Sequence, residues 1–286
     1  MRKFIIFIIF LYFFLLLNIA FAIEIIQIDQ PKIRLSITPG GTKAGVINVV
    51  NPSTEAKSTR VYLEDWYYLP NGDGSKEFRP AGSLVNSCSS WISFTPAEFI
   101  LPAYGRQRLN YTVKIPPDAK GGHYAVMFFE NYLGEQKAAT EGVNVNLAIR
   151  VASLFYIEPE GMINRNANIS DLKISKKENK FYVTAKFSNT GNVDITAKGT
   201  FFIIDQKGMV YARGEFNEVY TFPQDTATLA SNWKEPIPKG KYDLILTIDI
   251  GKALEEAGLG RGPVIIKEAQ IEIGENDRLI KVGELR

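Results

Sequence analysis

His123 is the only histidine of the chain and Cys88 the only cysteine. A Ser-His-Asp relay would have to use His123. The serines Ser83, Ser87, Ser89 and Ser90 form no G-x-S-x-G elbow that could expose a nucleophile, and they read as a surface connection ahead of Trp91. One His and one Cys fall short of the four N or S ligands of a structural zinc site. Asn71-Gly72-Asp73-Gly74-Ser75 begins like a calcium loop, but Gly82 stands where the carboxylate closing that loop must be. Glu64, Asp65, Asp73 and Glu77 could still gather round a hairpin, where a plain turn is the expected arrangement. Gly258-Leu259-Gly260-Arg261-Gly262 lacks the Lys-Ser/Thr of a phosphate loop. No catalytic residue, metal or cofactor is expected, and the chain reads as a non-enzyme.

The segment Gly142–Pro159, GVNVNLAIRVASLFYIEP, alternates apolar with polar or small residues over most of its length, and a central core strand is its plainest reading. Val143, Val145, Leu147, Ile149 and Val151 fall on one face of an extended chain, and Asn144, Asn146, Ala148, Arg150 and Ala152 on the other. So long a strand either crosses a whole sandwich as core or presents an apolar row to a partner.

The rest of the chain must position that strand. Arg2 and Lys3, the apolar run Phe4–Leu17 and the small-x-small site Ala20-Phe21-Ala22 read as a secretory leader over residues 1–22, with cleavage before Ile23. An uncleaved anchor is the alternative. No later apolar run reaches the ~18 residues of a membrane helix, so the mature protein is expected to be soluble or peripheral, in the periplasm or outside the cell. The 33 basic residues less Arg2 and Lys3 leave 31, equal to the 31 acidic ones. Zero net charge without a basic stripe gives no reason to expect nucleic acid or anionic lipid as partner. A single cysteine permits no intrachain disulfide, so packing must supply the stability.

Composition and turn signals predict an all-β chain: two immunoglobulin-like β-sandwich domains in tandem after the signal peptide, over residues 23–160 and 161–275, with a charged tail 276–286 expected to fray. In the first domain, Ile33–Ile37 and Val46–Val50 flank Pro39-Gly40-Gly41. Arg106–Ile115 alternates around Leu109, Tyr111 and Val113, and His123–Tyr132 is rich in aromatics. Thr59–Tyr68 leaves its inward row open between Val61, Leu63 and Asp65 on one face and Tyr62, Trp66 and Tyr68 on the other. The second domain shows seven strand-like segments, from Ile169–Ser175 to Val264–Ile273, and a short helix within Gly251–Gly258. The first domain's aromatic set, from Trp66, Tyr67 and Tyr68 through Trp91, Phe94, Phe99, Tyr124, Phe128 and Phe129 to Phe155 and Tyr156, is dense enough to form a core, with glycan binding a minor reading of any exposed rings.

Three segments together resemble the first domain of periplasmic pilus-assembly chaperones: Ile33-Arg34-Leu35-Ser36-Ile37-Thr38-Pro39-Gly40-Gly41, Ile47-Asn48-Val49-Val50-Asn51-Pro52 and Leu154-Phe155-Tyr156-Ile157-Glu158-Pro159. The likeness covers about 130 residues. It implies that the strand before Pro159 lends alternating apolar side chains to an incomplete subunit sandwich by strand addition, with Val145, Leu147, Ile149 and Val151 as donors. It further implies two basic residues in an interdomain cleft that grip the subunit's terminal carboxylate. Arg34 matches the first. The second falls on Ser153, with Arg150 nearby, and Ile157 replaces an Arg of the family signature.

A second resemblance is carried by Tyr62-Leu63-Glu64-Asp65-Trp66, Ser90-Trp91-Ile92-Ser93-Phe94-Thr95-Pro96 and Pro116-Pro117-Asp118-Ala119-Lys120-Gly121-Gly122-His123-Tyr124, with Ser188-Asn189-Thr190-Gly191-Asn192 further on. These look like bacterial surface proteins that interact with WxL proteins and peptidoglycan. The expected function is therefore an exported chaperone-like protein that binds secreted or pilin-like subunits by strand addition. The alternative is a structural or adhesive surface protein that binds cell-wall polymer or another surface protein.

Overall fold

Period-two alternation becomes pleated strand wherever one face can be buried, and the chain does this from Gln27 to Val282. The computed structural model describes residues 25–137, 144–177, 180–275 and 278–286, and at 133–137 and 144–146 the backbone alone. Residues 1–22 of the expected leader, and Gly142 and Val143 of the long alternating segment, lie outside the described residues. In chain order the first half contains β1 (Gln27–Ile28), β2 (Lys32–Ile37), β3 (Thr42–Val50), β4 (Lys57–Tyr68), β5 (Lys76–Pro80), β6 (Ile92–Thr95), β7 (Glu98–Leu101), β8 (Arg106–Lys114), β9 (His123–Lys137) and β10 (Asn144–Pro159). The second half contains β11 (Ala167–Lys177), β12 (Lys180–Asn189), β13 (Ile195–Ile204), β14 (Val210–Glu215), β15 (Val219–Thr221), β16 (Thr226–Trp233), β17 (Gly240–Asp249), the short helix α1 (Lys252–Glu256), β18 (Val264–Ile273) and β19 (Leu279–Val282).

Among the described residues these strands make four sheets. In the first half, β1-β3-β8-β6 faces β2-β10-β9-β4-β5, with β7 paired to β4. In the second, β11-β12-β16 faces β14-β13-β17-β18-β19, with β15 paired to β13. Each half is thus a two-sheet sandwich of the immunoglobulin-like kind. The first core joins Ile47, Val49, Leu109 and Val113 of one sheet to Ile33, Val61, Phe129 and Phe155 of the other. The second joins Phe181, Val183 and Leu229 to Phe201, Leu246 and Ile271. Strand β8 shows the cause: Leu109, Tyr111 and Val113 point in, while Arg106, Arg108, Asn110 and Lys114 stay exposed.

The two candidate rows of β4 are both buried, which explains why alternation alone could not choose between them. Val61 and Leu63 pack into the first core. Trp66 and Tyr68 turn the opposite way into a third cluster with Tyr124, Val126, Phe128 and Tyr156, and Phe222 of the second sandwich closes it. The Phe222 ring centre lies 5.3 Å from Trp66, 4.9 Å from Tyr68 and 4.4 Å from Tyr124. Trp66 Nε1 donates to the Ala125 carbonyl at 3.0 Å, so its one polar atom is satisfied inside the cluster.

The serine-rich connection is pinned to the first sandwich. Buried Asp65 accepts hydrogen bonds from Leu84 N at 2.9 Å and from Ser87 Oγ at 2.6 Å, and Cys88 N donates to the Tyr124 carbonyl. Cys88 itself is enclosed, and burial, followed by the charge of Asp65, pushes its thiol pKa well up. The charged C-terminal segment is also ordered rather than frayed. Leu279–Val282 pairs with β18, and Arg286 exchanges backbone hydrogen bonds with Glu268, because Leu279, Val282 and Leu285 pack on the second core.

Trp66→Ala empties the centre of the junction between the sandwiches. The expected loss of unfolding free energy in urea titration is about 3–5 kcal/mol. A loss below about 1 kcal/mol would show that the aromatic cluster does not hold the halves together.

Candidate functional site

The long alternating segment is neither a wholly enclosed core strand nor a free arm. Strand β10 pairs with β9 from Asn144 to Ile157, antiparallel, with a bulge where Leu147 opposes Gly134 and Ala148 opposes Tyr132. On its other edge β10 pairs only with β2, in parallel, from Leu154 opposite Lys32 to Pro159 opposite Ile37. Just before this pairing starts, Ser153 Oγ donates to the Gln30 carbonyl at 2.6 Å and Leu154 N to the Pro31 carbonyl at 3.0 Å. From Asn144 to Ala152 that edge has no strand partner among the described residues.

One face of β10 follows the same gradient. Phe155 and Ile157 are buried in the first core, Val151 packs against its margin, Ile149 is half-buried, and Leu147 is 43% exposed. Val145 continues the row in register opposite Gln136; its side chain lies outside those described. The apolar row therefore runs out of the core onto an uncovered stretch of the same sheet.

Arg150 lies on the opposite face. Its guanidinium sits 4.1 Å from the Phe128 ring centre and 5.4 Å from Phe78, and it donates to Glu64 Oε1 at 3.2 Å. The hydrogen bond to Tyr62, opposed by burial and joined by Glu64, raises its pKa. Glu64, Asp65 and Asp73 are thereby separated: Glu64 serves Arg150, Asp65 the serine loop, and Asp73 caps its own turn through Ser75 N at 2.8 Å. Groups of three or more potential metal-ligating side chains are absent among the described residues. His123 tilts onto Trp91 with ring centres 4.2 Å apart, and its Nδ1 lies 3.2 Å from the Gly121 carbonyl.

Arg34 is enclosed where the two sandwiches meet, with its side chain 1% exposed. Its Nη2 is 2.6 Å and its Nη1 3.0 Å from the two carboxylate oxygens of Asp194, a bidentate pair between the halves, and Nη1 also pairs with Glu158. Glu158 in turn accepts from Arg165 at 2.9 Å, and Asp194 N donates to Tyr124 Oη at 2.6 Å. Burial acts to lower the Arg34 pKa, and the Asp194 and Glu158 charges outweigh it, holding the guanidinium charged above its ordinary value. Its charge is thus already answered inside the protein. Arg34 pairs in register with Tyr156 of β10 and stands over its ring, whereas Arg150 is part of β10 and stacks on Phe128 of β9 and Phe78 of β5.

Sequence alone did not reveal Asp194 and Glu158, which meet Arg34 across separations of up to 160 residues, or Arg165, which reaches Glu158. Nor did it single out Lys32, which shares a face of β2 with Arg34; both cations stand over the Tyr156 ring, at 5.1 and 4.3 Å. The i, i+2 spacing of Lys32 and Arg34 was the available signal.

No protein-family model matches the chain, and no curated protein matches it. Among solved structures it is similar to the class 5 fimbriae chaperone CfaA, at 18% identity over 85% of this chain and 98% of that one, with a TM-score of 0.47. It is also similar to a chain in the Salmonella enterica complex of SafA pilin with the SafB chaperone (14% identity, 86% and 97% covered, TM-score 0.41). A third is the E. coli chaperone DraB (14% identity, 80% and 94% covered, TM-score 0.38).

Asp194→Ala strands the Arg34 charge in the junction, and removing one partner of a buried pair costs about 3–5 kcal/mol. Urea unfolding should show this loss, and Arg34→Met combined with Asp194→Leu should recover most of it. Equal stability of Asp194→Ala and the parent would contradict the assignment of Arg34 as an internal clasp.

Proposed function

We propose that this protein captures an exported, fimbrial-type subunit by adding a subunit strand to the open edge of β10. One observation carries the reading: between Asn144 and Ala152 the strand lacks, among the described residues, a partner on its second edge, while its core-facing row emerges to the surface at Leu147. Unpaired backbone N–H and C=O groups on an edge are a template for another strand. Val145, Leu147, Ile149 and Val151 are assigned as the client-binding row. Covering one such side chain fully is worth roughly 1.5–3 kcal/mol, part of which ordering of the client consumes.

In this reading Arg34 and Arg150 serve the site by fixing β10: Arg34 locks β2 and the end of β10 to the second sandwich, and Arg150 rivets its outer face to Phe128 and Glu64. The residues 23–160 form the capturing unit and 161–275 the unit that braces it. The proposed setting is the cell envelope, reached through the leader at residues 1–22. No helix among the described residues is long and apolar enough to cross a membrane.

Leu147→Asp places a charge on an exposed position and should leave folding within about 0.5 kcal/mol of the parent. When the variant is expressed in its host's envelope and purified through a tag, the envelope protein that accompanies the parent should be missing. Ile149→Asp should behave alike, with a modest stability loss. If both variants keep the partner, the row is not the capture surface. If Leu147→Asp unfolds the protein, the row is core and the reading fails.

A further inference from the structure

An antiparallel sheet that covers a core on one side ordinarily turns polar residues outward on the other. The sheet β11-β12-β16 of the second sandwich does so: Thr184, Lys186, Thr226 and Thr228 face out between the buried Val183, Ala185, Ala227 and Leu229. The facing sheet departs from this rule. On β13 the outward positions between buried Phe201 and Ile203 are Phe202 and Ile204, and on β17 Ile245 stands outward between buried Leu244 and Leu246. On β18 the outward Val264 and Ile266 are 53% and 66% exposed, and Val210 of β14 is 50% exposed. Contiguous apolar surface of this kind on a sheet marks an interaction site.

Strand register arranges these residues in rows whose charges have a direction. Arg213, Phe202, Ile245 and Glu268 lie side by side on β14, β13, β17 and β18, a cation at one end, a carboxylate at the other and two apolar residues between. The next row is Glu215, Thr200, Thr247 and Ile266, and beyond it come Lys198, Asp249 and Val264. Glu268 is also held by Arg286 of its own chain at 3.0 Å, and Lys198 reaches Glu215 at 3.6 Å. A groove of about 490 Å³, lined by Phe202, Val210, Tyr211 and Arg213 among others, indents the β14 side of the face.

We propose that the outer face of β14-β13-β17-β18 is the contact between two copies of this chain, stacked sheet on sheet about a two-fold axis that runs parallel to the strands between β13 and β17. Turning a copy about that axis lays β13 over the copy's β17 and β14 over the copy's β18, row upon row. Phe202 then meets the copy's Ile245, Arg213 the copy's Glu268 beside the groove, and Lys198 the copy's Asp249, each contact occurring twice as an isologous interface requires. No row sets like charges opposite one another: Glu215 meets Ile266, and Asp243, which lies beside Ile204 in the β13–β17 register, meets the copy's Ile204. The long side chains of Arg213 and Lys198 span the tilt of about 30° that stacked sheets adopt. The complementarity of the charged ends selects a second copy over an unrelated apolar partner. None of these residues belongs to β10 or to a strand paired with it, so the inference goes beyond strand capture and does not rest on it.

The test is sedimentation equilibrium of the mature protein into the high-micromolar range, with the fold of each variant checked by urea titration. The parent should pass from monomer to dimer as concentration rises, and Ile266→Lys, at an exposed position, should raise the dimer dissociation constant at least roughly tenfold. Arg213→Glu sets two carboxylates opposite one another and should weaken the dimer as well. Adding Glu268→Arg to it restores opposite charges and should bring the constant back to within roughly fivefold of the parent. A parent that stays monomeric throughout overturns the proposal and leaves the face to a partner of another kind. So does a dimer that Ile266→Lys leaves intact, and a loss in Arg213→Glu that Glu268→Arg does not recover. Leu147→Asp separates this contact from self-pairing along β10: a dimer kept in that variant upholds the sheet face, and one lost there while surviving Ile266→Lys belongs to the β10 edge and overturns it.

Discussion

A β-strand has two hydrogen-bonding edges, and among the described residues β10 uses both only from Leu154 to Ile157. The rest of the structure is organised around that interruption. Strand β2 enters the sheet beside β10 at Lys32 and cannot continue backward, because the chain turns at Gln30-Pro31 and Ser153 Oγ takes the Gln30 carbonyl. Nine residues of β10, Asn144 to Ala152, are left with one edge paired to β9 and the other without a strand partner among the described residues. Burial of an edge requires partners for its backbone groups, so such a stretch holds a surface position, where water can serve them.

An open edge is a liability unless its geometry is held. Here the holding is two-sided. Arg150 fixes the outer face through Phe128, Phe78 and Glu64, and the end of the strand is locked by Arg34 against Glu158 and Asp194. Because Asp194 belongs to the second sandwich, the clasp sets the register of β2 on β10 and the placement of the two halves at once. The aromatic cluster around Trp66 fills the junction and shields the ion pairs from water, which strengthens them.

Much of the architecture was legible from local pattern. The row Val145, Leu147, Ile149 and Val151 and the alternation about Leu109, Tyr111 and Val113 announce strands, because pleating maps every second residue to one face. The turn at Pro39-Gly40-Gly41 marks where one strand ends and the next begins. What alternation cannot state is which strand lies beside which. The edge left open on β10 follows from β2 stopping at Lys32, a pairing across more than a hundred residues. Strand β4 looked ambiguous because it is buried on both faces, one against its own sandwich and one against Phe222. Residues 279–282 looked like tail because charges hide Leu279 and Val282, whose value appears only when β18 is beside them. Asp194 is silent in sequence for the same reason: its meaning is Arg34.

The most direct measurement is amide hydrogen exchange resolved residue by residue over Asn144–Pro159 in the isolated mature protein. The account requires every second amide between Asn144 and Ala152 to exchange fast while the alternate amides, bonded to β9, and those from Leu154 onward are protected. Uniform protection across the whole of β10 would mean that its second edge is already filled, and would contradict strand capture there.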